Sequence, residues 1–272
     1  MSTNFSGWDC HAHLFGPYAQ YPLAADRSYT PPEAAEVQYA ALLDKLQLGH
    51  GVLVHPSAYA DDLSLLLDTL ARRPAWRGVI VTTAVQKLDL TPLRSNGIRA
   101  SRFSHRSGAG GNFAGSASFD DLRQLAPALA DAGLHAELWT DCRSLPDIAD
   151  ELLTLPVPVV IDHMGGFDPS AGVDDPGFKT LLLLLESGRV WVKLCAYRNF
   201  LGRDDQEALA PLFQQAMLKA NPQRLLWGSD WPHLRVTPEP NTSGLKDAFV
   251  RWTGDQALVR QVLELNPAAL YE

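Results

Sequence analysis

The decapeptide VPVVIDHMGG, residues 157–166, is apolar up to Ile161 and then changes to Asp162, His163, a methionine and two glycines. A short β-rich run of this kind predicts a strand, here Val157–His163, that carries ionisable groups at its carboxyl end. The same kind of pattern predicts seven further strands: Trp8–His13, Gly51–His55, Gly78–Thr83, Gly97–Phe103, His135–Thr140, Val190–Leu194 and Arg224–Ser229.

Segments with helical character separate these eight strands. Ser118 is a suitable N-cap for a helix that has acidic residues in its first turn and stops at Gly133, whereas segment 74–96 predicts a helix of only about two turns. Helical connections make neighbouring strands parallel, and eight parallel strands close a filled barrel. We therefore predict an α/β fold, a (β/α)8 TIM barrel, as one domain over residues 1–272. A doubly wound open sheet is the alternative, but no GxGxxG motif follows a strand.

Composition narrows the class of partner. The 272 residues are 46% hydrophobic and 20% charged, which is typical of a globular protein with a sizeable core. A formal net charge of −8 lacks the basic surface of nucleic-acid binders, so a small molecule is the expected partner. Because the start resembles no signal peptide and no apolar run could span a bilayer, we expect a cytoplasmic protein. The sequence does not predict an oligomeric state.

The first strand lies in the segment GWDCHAHLFG, residues 7–16, which holds two histidines one residue apart. On a strand, residues two apart point the same way. We therefore expect Asp9, His11 and His13 to share one face, with both imidazoles at the strand's carboxyl end.

Two other strands bring ionisable groups to the same rim of the barrel. His163 ends the sixth strand, and Asp230 follows the eighth. The carboxyl ends of barrel strands form the rim where catalytic side chains concentrate. Asp162 has the opposite parity to His163, so we expect it to face the helices.

The predicted set suits hydrolytic chemistry. Asp230 among imidazoles stays ionised and can take a proton from water, while His11, His13 and His163 can polarise a carbonyl and stabilise an oxyanion. Alternatively, His11, His13 and Asp230 could hold one divalent metal, zinc or manganese, that does both jobs.

Arginines are also expected at this rim. Arg99 and Arg102 lie on the fourth predicted strand, Arg106 follows it, and Arg198 follows the seventh. Guanidinium groups suit bidentate binding of carboxylates, so two or three of them are expected to line the site. The glycine-rich segment 107–116 is expected to be a mobile lid or a flexible connection, and not a phosphate-binding loop.

Motifs spread along the chain resemble those of the amidohydrolase superfamily, in particular the group that includes the 2-pyrone-4,6-dicarboxylate lactonases. They are DCHAHLFGP, YPLAADRSYTPPEAA, GIRASRF, IDHMGG, LLWGSDWPH and NPAALY. The resemblance implies a (β/α)8 barrel that hydrolyses a lactone, with Asp230 as the base that activates water and His11, His13 and His163 polarising the carbonyl. It further implies that Arg102 and Arg198 bind carboxylates and that His233 lies near the substrate.

The sequence departs from the motifs of this family at positions that bear on the cofactor and the substrate. The strand-5 histidine of metal-dependent members is absent from AELWTD, so we expect no cofactor, with one divalent metal as the alternative. The arginine that pyrone dicarboxylate lactonases carry after the strand-6 glycine is absent, which leaves sugar-acid lactones open as substrates. A lactone isomerase, a metal-dependent amidohydrolase or decarboxylase, and a non-catalytic binding protein are the other functions considered.

Overall fold

The computed structural model describes residues 5–108, 113 and 115–272. Eight strands form one sheet in chain order, and every neighbouring pair is parallel. The strands are β1 Trp8–Ala12, β2 His50–Val54, β3 Arg77–Ile80, β4 Ile98–His105, β5 His135–Thr140, β6 Val159–Ile161, β7 Val190–Leu194 and β8 Leu225–Trp227.

Hydrogen bonds between β1 and the chain just after β8 close this sheet on itself. The Asp230 amide donates to the His11 carbonyl at 2.8 Å, and the His13 amide donates to the Trp231 carbonyl at 2.8 Å. The (β/α)8 barrel predicted from the sequence is thus confirmed, and the doubly wound open sheet is excluded. One domain over residues 1–272 stays a prediction.

Helices pack around the barrel in the described part of the chain: α1 Glu36–Leu46, α2 Ser64–Arg72, α3 Phe119–Asp131, α4 Leu145–Thr154, α5 Pro176–Glu186, α6 Gln206–Ala220, α7 Thr242–Thr253, α8 Gln256–Arg260 and α9 Asn266–Tyr271. Ser118 caps α3 as predicted, because its hydroxyl accepts a hydrogen bond from the Asp121 amide. The predicted helix between β3 and β4 is wrong, since the described residues there hold only the 3-10 turn Ala84–Gln86. Residues 109–112 and 114 of the glycine-rich segment lie outside the described residues. No helix of the described ranges is long and apolar enough to cross a membrane.

An apolar cluster fills the barrel below the carboxyl ends of the strands. It consists of Trp8, Cys10, Val52, Val54, Val79, Ala100, Val160, Trp191, Leu226 and Tyr271. Tyr271 of α9 closes the amino-terminal end of the barrel, where its ring stacks on Trp8 at 5.9 Å. The Tyr271 carbonyl accepts hydrogen bonds from Arg77 and Arg99. Arg99 therefore lies at the end of the barrel opposite the expected rim, because it begins β4 and does not end it.

Candidate active site

A bulge in β1 sets the direction of the first two candidate residues. Between Asp9 and Ala12, β1 has one residue more than the paired part of β2, which breaks the alternation of faces. Asp9 consequently points toward the helices, where the Tyr39 hydroxyl at 3.1 Å and the Ser229 amide at 2.8 Å donate to it. His11 points into the barrel. The expectation that Asp9 shares a face with His11 and His13 is wrong for Asp9.

Three imidazoles surround the carboxylate of Asp230. Its Oδ1 lies 3.8 Å from Nε2 of His11 and 3.6 Å from Nε2 of His13, and its Oδ2 lies 3.7 Å from Nε2 of His163. These separations exceed those of direct hydrogen bonds. The Nε2 atoms of His11 and His163 are buried without a hydrogen-bond partner among the described residues. The structure thus brings together the four residues that the sequence assigned to catalysis.

Two predicted substrate-binding residues instead support Asp230. Arg198 donates from Nε to Asp230 Oδ2, and from a terminal nitrogen to the Leu234 carbonyl at 2.9 Å. The Tyr197 hydroxyl donates to the same Oδ2 at 2.8 Å, and His233 Nδ1 lies 3.2 Å from that hydroxyl. His233 is 2% exposed and lies behind Tyr197, because a left-handed turn at this residue carries its ring away from the cavity. The resemblance implies that His233 lies near the substrate; its ring does not line the cavity, and its role in substrate binding stays a prediction.

The charges around Asp230 keep it ionised. Burial by itself would raise the pKa of this carboxyl, but the His163 imidazole and the Arg198 guanidinium hold it well below its usual value. Burial lowers the pKa of His233 to about 4, so its ring is neutral at physiological pH. A neutral His233 can donate from Nδ1 to the Tyr197 oxygen, which orients the hydroxyl toward Asp230.

Asp162 faces the barrel, contrary to the expectation from strand parity. The strand β6 ends at Ile161, and His163 takes a left-handed backbone conformation with φ of 50°, so the alternation no longer applies. Asp162 Oδ2 accepts from Nε of Arg102 at 2.7 Å, and its Oδ1 lies 3.3 Å from His11 Nδ1. Burial would raise the pKa of Asp162, but Arg102 and Lys193 hold it well below its usual value.

Lys193 and Glu137 belong to the site, and the sequence analysis missed both. Lys193 Nζ lies 2.5 Å from Glu137 Oε2, 3.3 Å from Asp162 Oδ1 and 3.2 Å from His11 Nδ1. We call these four residues the interior ion cluster. Burial opposes the charge of Lys193, but Glu137 and Asp162 raise its pKa above the usual value. A lysine inside the apolar strand VWVKL was the signal that could have revealed it, since a charge is rarely buried without a partner.

The donor set His11, His13 and Asp230 has the spacing of a metal site, with donor atoms within 4.8 Å of one another. His13 fits such a site, because its Nδ1 donates to the Val54 carbonyl at 2.8 Å and leaves a lone pair on Nε2. His11 does not fit, because its Nδ1 is hydrogen-bonded to an ammonium, whereas a metal-bound imidazole donates its other N–H to an acceptor. A second set, His11, Glu137 and Asp162, surrounds the Lys193 ammonium itself.

A cavity of about 540 Å³ opens above Asp230. Residues from several strand ends line it, among them His13, Tyr29, Arg102, Arg106, Trp139, His163, Arg198, Asp230 and Arg235. The Arg106 guanidinium lies over the Trp139 ring at 4.4 Å, and that of Arg235, which the sequence analysis missed, lies over the Tyr29 ring at 4.8 Å. Within the described ranges, Arg235 has no hydrogen-bond or ion-pair partner, so the cavity presents cationic groups with unused donors.

Comparisons with known proteins agree with this architecture. The family profile described as Amidohydrolase matches residues 8–272. A 4-sulfomuconolactone hydrolase of Hydrogenophaga intermedia is 32% identical, over 97% of this chain and 88% of the relative. A 2-pyrone-4,6-dicarboxylate hydrolase of Comamonas testosteroni is 30% identical, over 97% and 89%. A crystal structure from Pseudomonas putida, assigned to a 2-pyrone-4,6-dicarboxylic acid hydrolase, is 28% identical with a TM-score of 0.83, over 99% and 98%.

A barrel whose strand ends converge on a carboxylate and imidazoles defines a hydrolase-type enzyme of the (β/α)8 class. The profile match over nearly the whole chain makes the assignment specific: the chain belongs to the amidohydrolase family. The family resemblance read from the sequence motifs is confirmed.

Proposed function

We propose that the protein hydrolyses a lactone that carries a carboxylate, with Asp230 activating the attacking water. One arrangement supports this proposal: an ionised carboxylate faces three imidazole Nε2 atoms at 3.6–3.8 Å. Asp230 and two of these rings, His13 and His163, line a cavity that arginines also line. A carboxylate can accept the proton of water, and imidazoles can stabilise the oxyanion of a tetrahedral intermediate. Lactone hydrolases among the relatives support the same class of reaction.

Hydrogen bonding separates the roles of the imidazoles. His13 donates from Nδ1 to Val54, so the neutral form of its ring has the lone pair on Nε2, next to Asp230 Oδ1. We therefore assign His13 to the water, which can donate to both atoms, and not to the carbonyl as the sequence suggested. His11 and His163 have buried Nε2 atoms without partners in the described part of the chain, which suits them to the carbonyl oxygen.

The proposed reaction balances with these groups. The water oxygen adds to the lactone carbonyl carbon while one water proton passes to Asp230. His11 and His163 stabilise the negative oxygen of the tetrahedral intermediate. The ring C–O bond then breaks, the leaving oxygen takes the proton from Asp230, and the ring-opened acid leaves the cavity.

Arginine side chains provide the proposed specificity for an anionic lactone. Among the described residues, Arg102 donates a hydrogen bond only from Nε, to Asp162. Its terminal nitrogens can therefore bind a carboxylate. Arg106 lies 3.9 Å from Asp141 and lines the same cavity, as does Arg235. Arg198 is engaged with Asp230 and Leu234, and we assign it to holding the base.

A panel of lactones assayed with chelator-treated protein tests this proposal. It should contain 2-pyrone-4,6-dicarboxylate, muconolactone, 4-sulfomuconolactone and aldonolactones, each matched with a lactone lacking the anionic group. We expect ring-opened acid, at the mass of lactone plus water, from at least one anionic member, and poor turnover of its neutral match. An isomeric lactone as the product would assign isomerisation instead, and activity that returns only with zinc or manganese would assign a metal-dependent reaction.

A further inference from the structure

The interior ion cluster places an ammonium against the catalytic imidazole of His11. Lys193 lies on β7 with its side chain fully buried, and its Nζ is 3.2 Å from His11 Nδ1. The site's chemistry faces the other side of the same ring, where Nε2 is 3.8 Å from Asp230 Oδ1. Lys193 therefore touches His11 from below and reaches neither the cavity nor Asp230.

This contact determines which nitrogen of His11 carries the proton. An ammonium has three N–H donors and no lone pair, so the ring nitrogen that it meets must accept. Nδ1 then carries the lone pair, and the neutral ring holds its proton on Nε2. An Nε2–H group on the side of the ring that faces Asp230 is a donor for a carbonyl oxygen or an oxyanion bound there.

Asp162 offers His11 the opposite arrangement. Its Oδ1 lies 3.3 Å from the same Nδ1, almost as close as the Lys193 Nζ at 3.2 Å, so the two groups compete for this nitrogen. Without Lys193, His11 could donate from Nδ1 to Asp162, and Nε2 would become a lone pair. That second arrangement, with a carboxylate behind the ring, is the usual form of a metal-binding histidine.

We propose that Lys193 is a positioning residue that holds His11 with its proton on Nε2, as a hydrogen-bond donor to the substrate carbonyl and not as a metal ligand. The role in turnover rests on the proposed lactone hydrolysis, whereas the position of the proton does not. Glu137 keeps the ammonium in place through Oε2 at 2.5 Å, and the Tyr271 hydroxyl donates to the other oxygen of Glu137 at 3.0 Å.

A charge-balanced variant tests the proposal without leaving an unpaired buried charge. Lys193→Met combined with Glu137→Gln removes one positive and one negative group, and leaves Asp162 paired with Arg102. Glu137→Gln alone is the matched control, because it retains the lysine. Nitrogen-15 NMR of the His11 ring reports the protonated nitrogen directly, and zinc titration by calorimetry reports metal affinity.

The wild-type protein and the control should show His11 protonated on Nε2, and the double variant should show it protonated on Nδ1. We expect kcat to fall about 10²-fold to 10³-fold in the double variant with KM changed less than about threefold, the loss typical of one oxyanion donor. Its zinc affinity should rise at least about tenfold. A wild-type ring protonated on Nδ1, or the same tautomer in all three proteins, would overturn the proposal. The NMR measurement tests the position of the His11 proton without any lactone. A failure of the proposed lactone hydrolysis can therefore be told apart from a failure of this proposal.

Discussion

Asp230 combines a low pKa with the proposed role of a base, and its neighbours explain how. Arg198 and Tyr197 both donate to Oδ2, so this oxygen is fixed, while Oδ1 faces His11 and His13 across gaps longer than a hydrogen bond. One oxygen therefore orients the carboxylate, and the other is available to a water. Charged hydrogen bonds of this kind contribute roughly 1.5–3 kcal/mol each.

Tyr197→Phe tests the fixed oxygen. Loss of the hydroxyl removes a donor at 2.8 Å from Asp230 and leaves His233 Nδ1 without its acceptor. We expect kcat to fall about tenfold, with KM little changed, because roughly 1.4 kcal/mol is lost from the positioning of the base. Steady-state kinetics check this. Tyr39→Phe is the control, since its hydroxyl donates to the buried Asp9 on the outer side of β1; equal losses of kcat in both variants would contradict the assignment.

At the scale of the elements, the hydrophobic pattern predicted the positions of the strands well and the directions of their side chains less well. The bounds of β5 and β7 match the sequence prediction, because apolar runs fix where a buried strand lies. The predicted side-chain direction is wrong at Asp9 and at Asp162. A bulge breaks the alternation of faces in β1, and a left-handed turn at His163 ends it after β6. Neither feature has a sequence signal of its own.

The candidate site was predicted where residues stand at strand ends and was missed where they stand inside strands. His163 and Asp230 follow apolar runs, so the rim rule found them. Lys193 and Glu137 lie within β7 and β5, and only the closed barrel shows that both point inward to the same place. Arg235 follows no strand, so its position depends on a loop that the sequence pattern does not define.

At the scale of the whole molecule, Tyr271 fills the amino-terminal end of the barrel. Tyr271, from the last helix, lies against Trp8 and packs edge-on against His135 at 5.3 Å, so α9 meets β1 and β5 at the base of the barrel. Burial, with the charge of Lys193 as the next cause, lowers the pKa of His135 to about 3. The unfolded chain takes up a proton at this histidine near its ordinary pKa of about 6.5, while the folded protein does not.

His135→Gln should therefore weaken the pH dependence of stability. Between the unfolded and folded pKa values, protonation favours the unfolded chain, so the free energy of unfolding falls as the pH falls from about 6.5 toward about 3. We expect the wild-type protein to lose about 2 kcal/mol more than the variant between pH 7 and pH 5. Urea unfolding at the two pH values measures this difference. Equal losses in the two proteins would mean that His135 takes up a proton in the folded state as well.

The most direct test of the account is the turnover of Asp230→Asn on the best lactone of the panel. We expect kcat to fall by about 10³-fold, within the range of a general base, with KM changed little and the fold retained by circular dichroism. Asp9→Asn is the matched control, a buried aspartate next to the same strands that faces the helices, and it should keep kcat within about threefold. Turnover of Asp230→Asn at the wild-type rate would contradict the central claim that this carboxylate activates water.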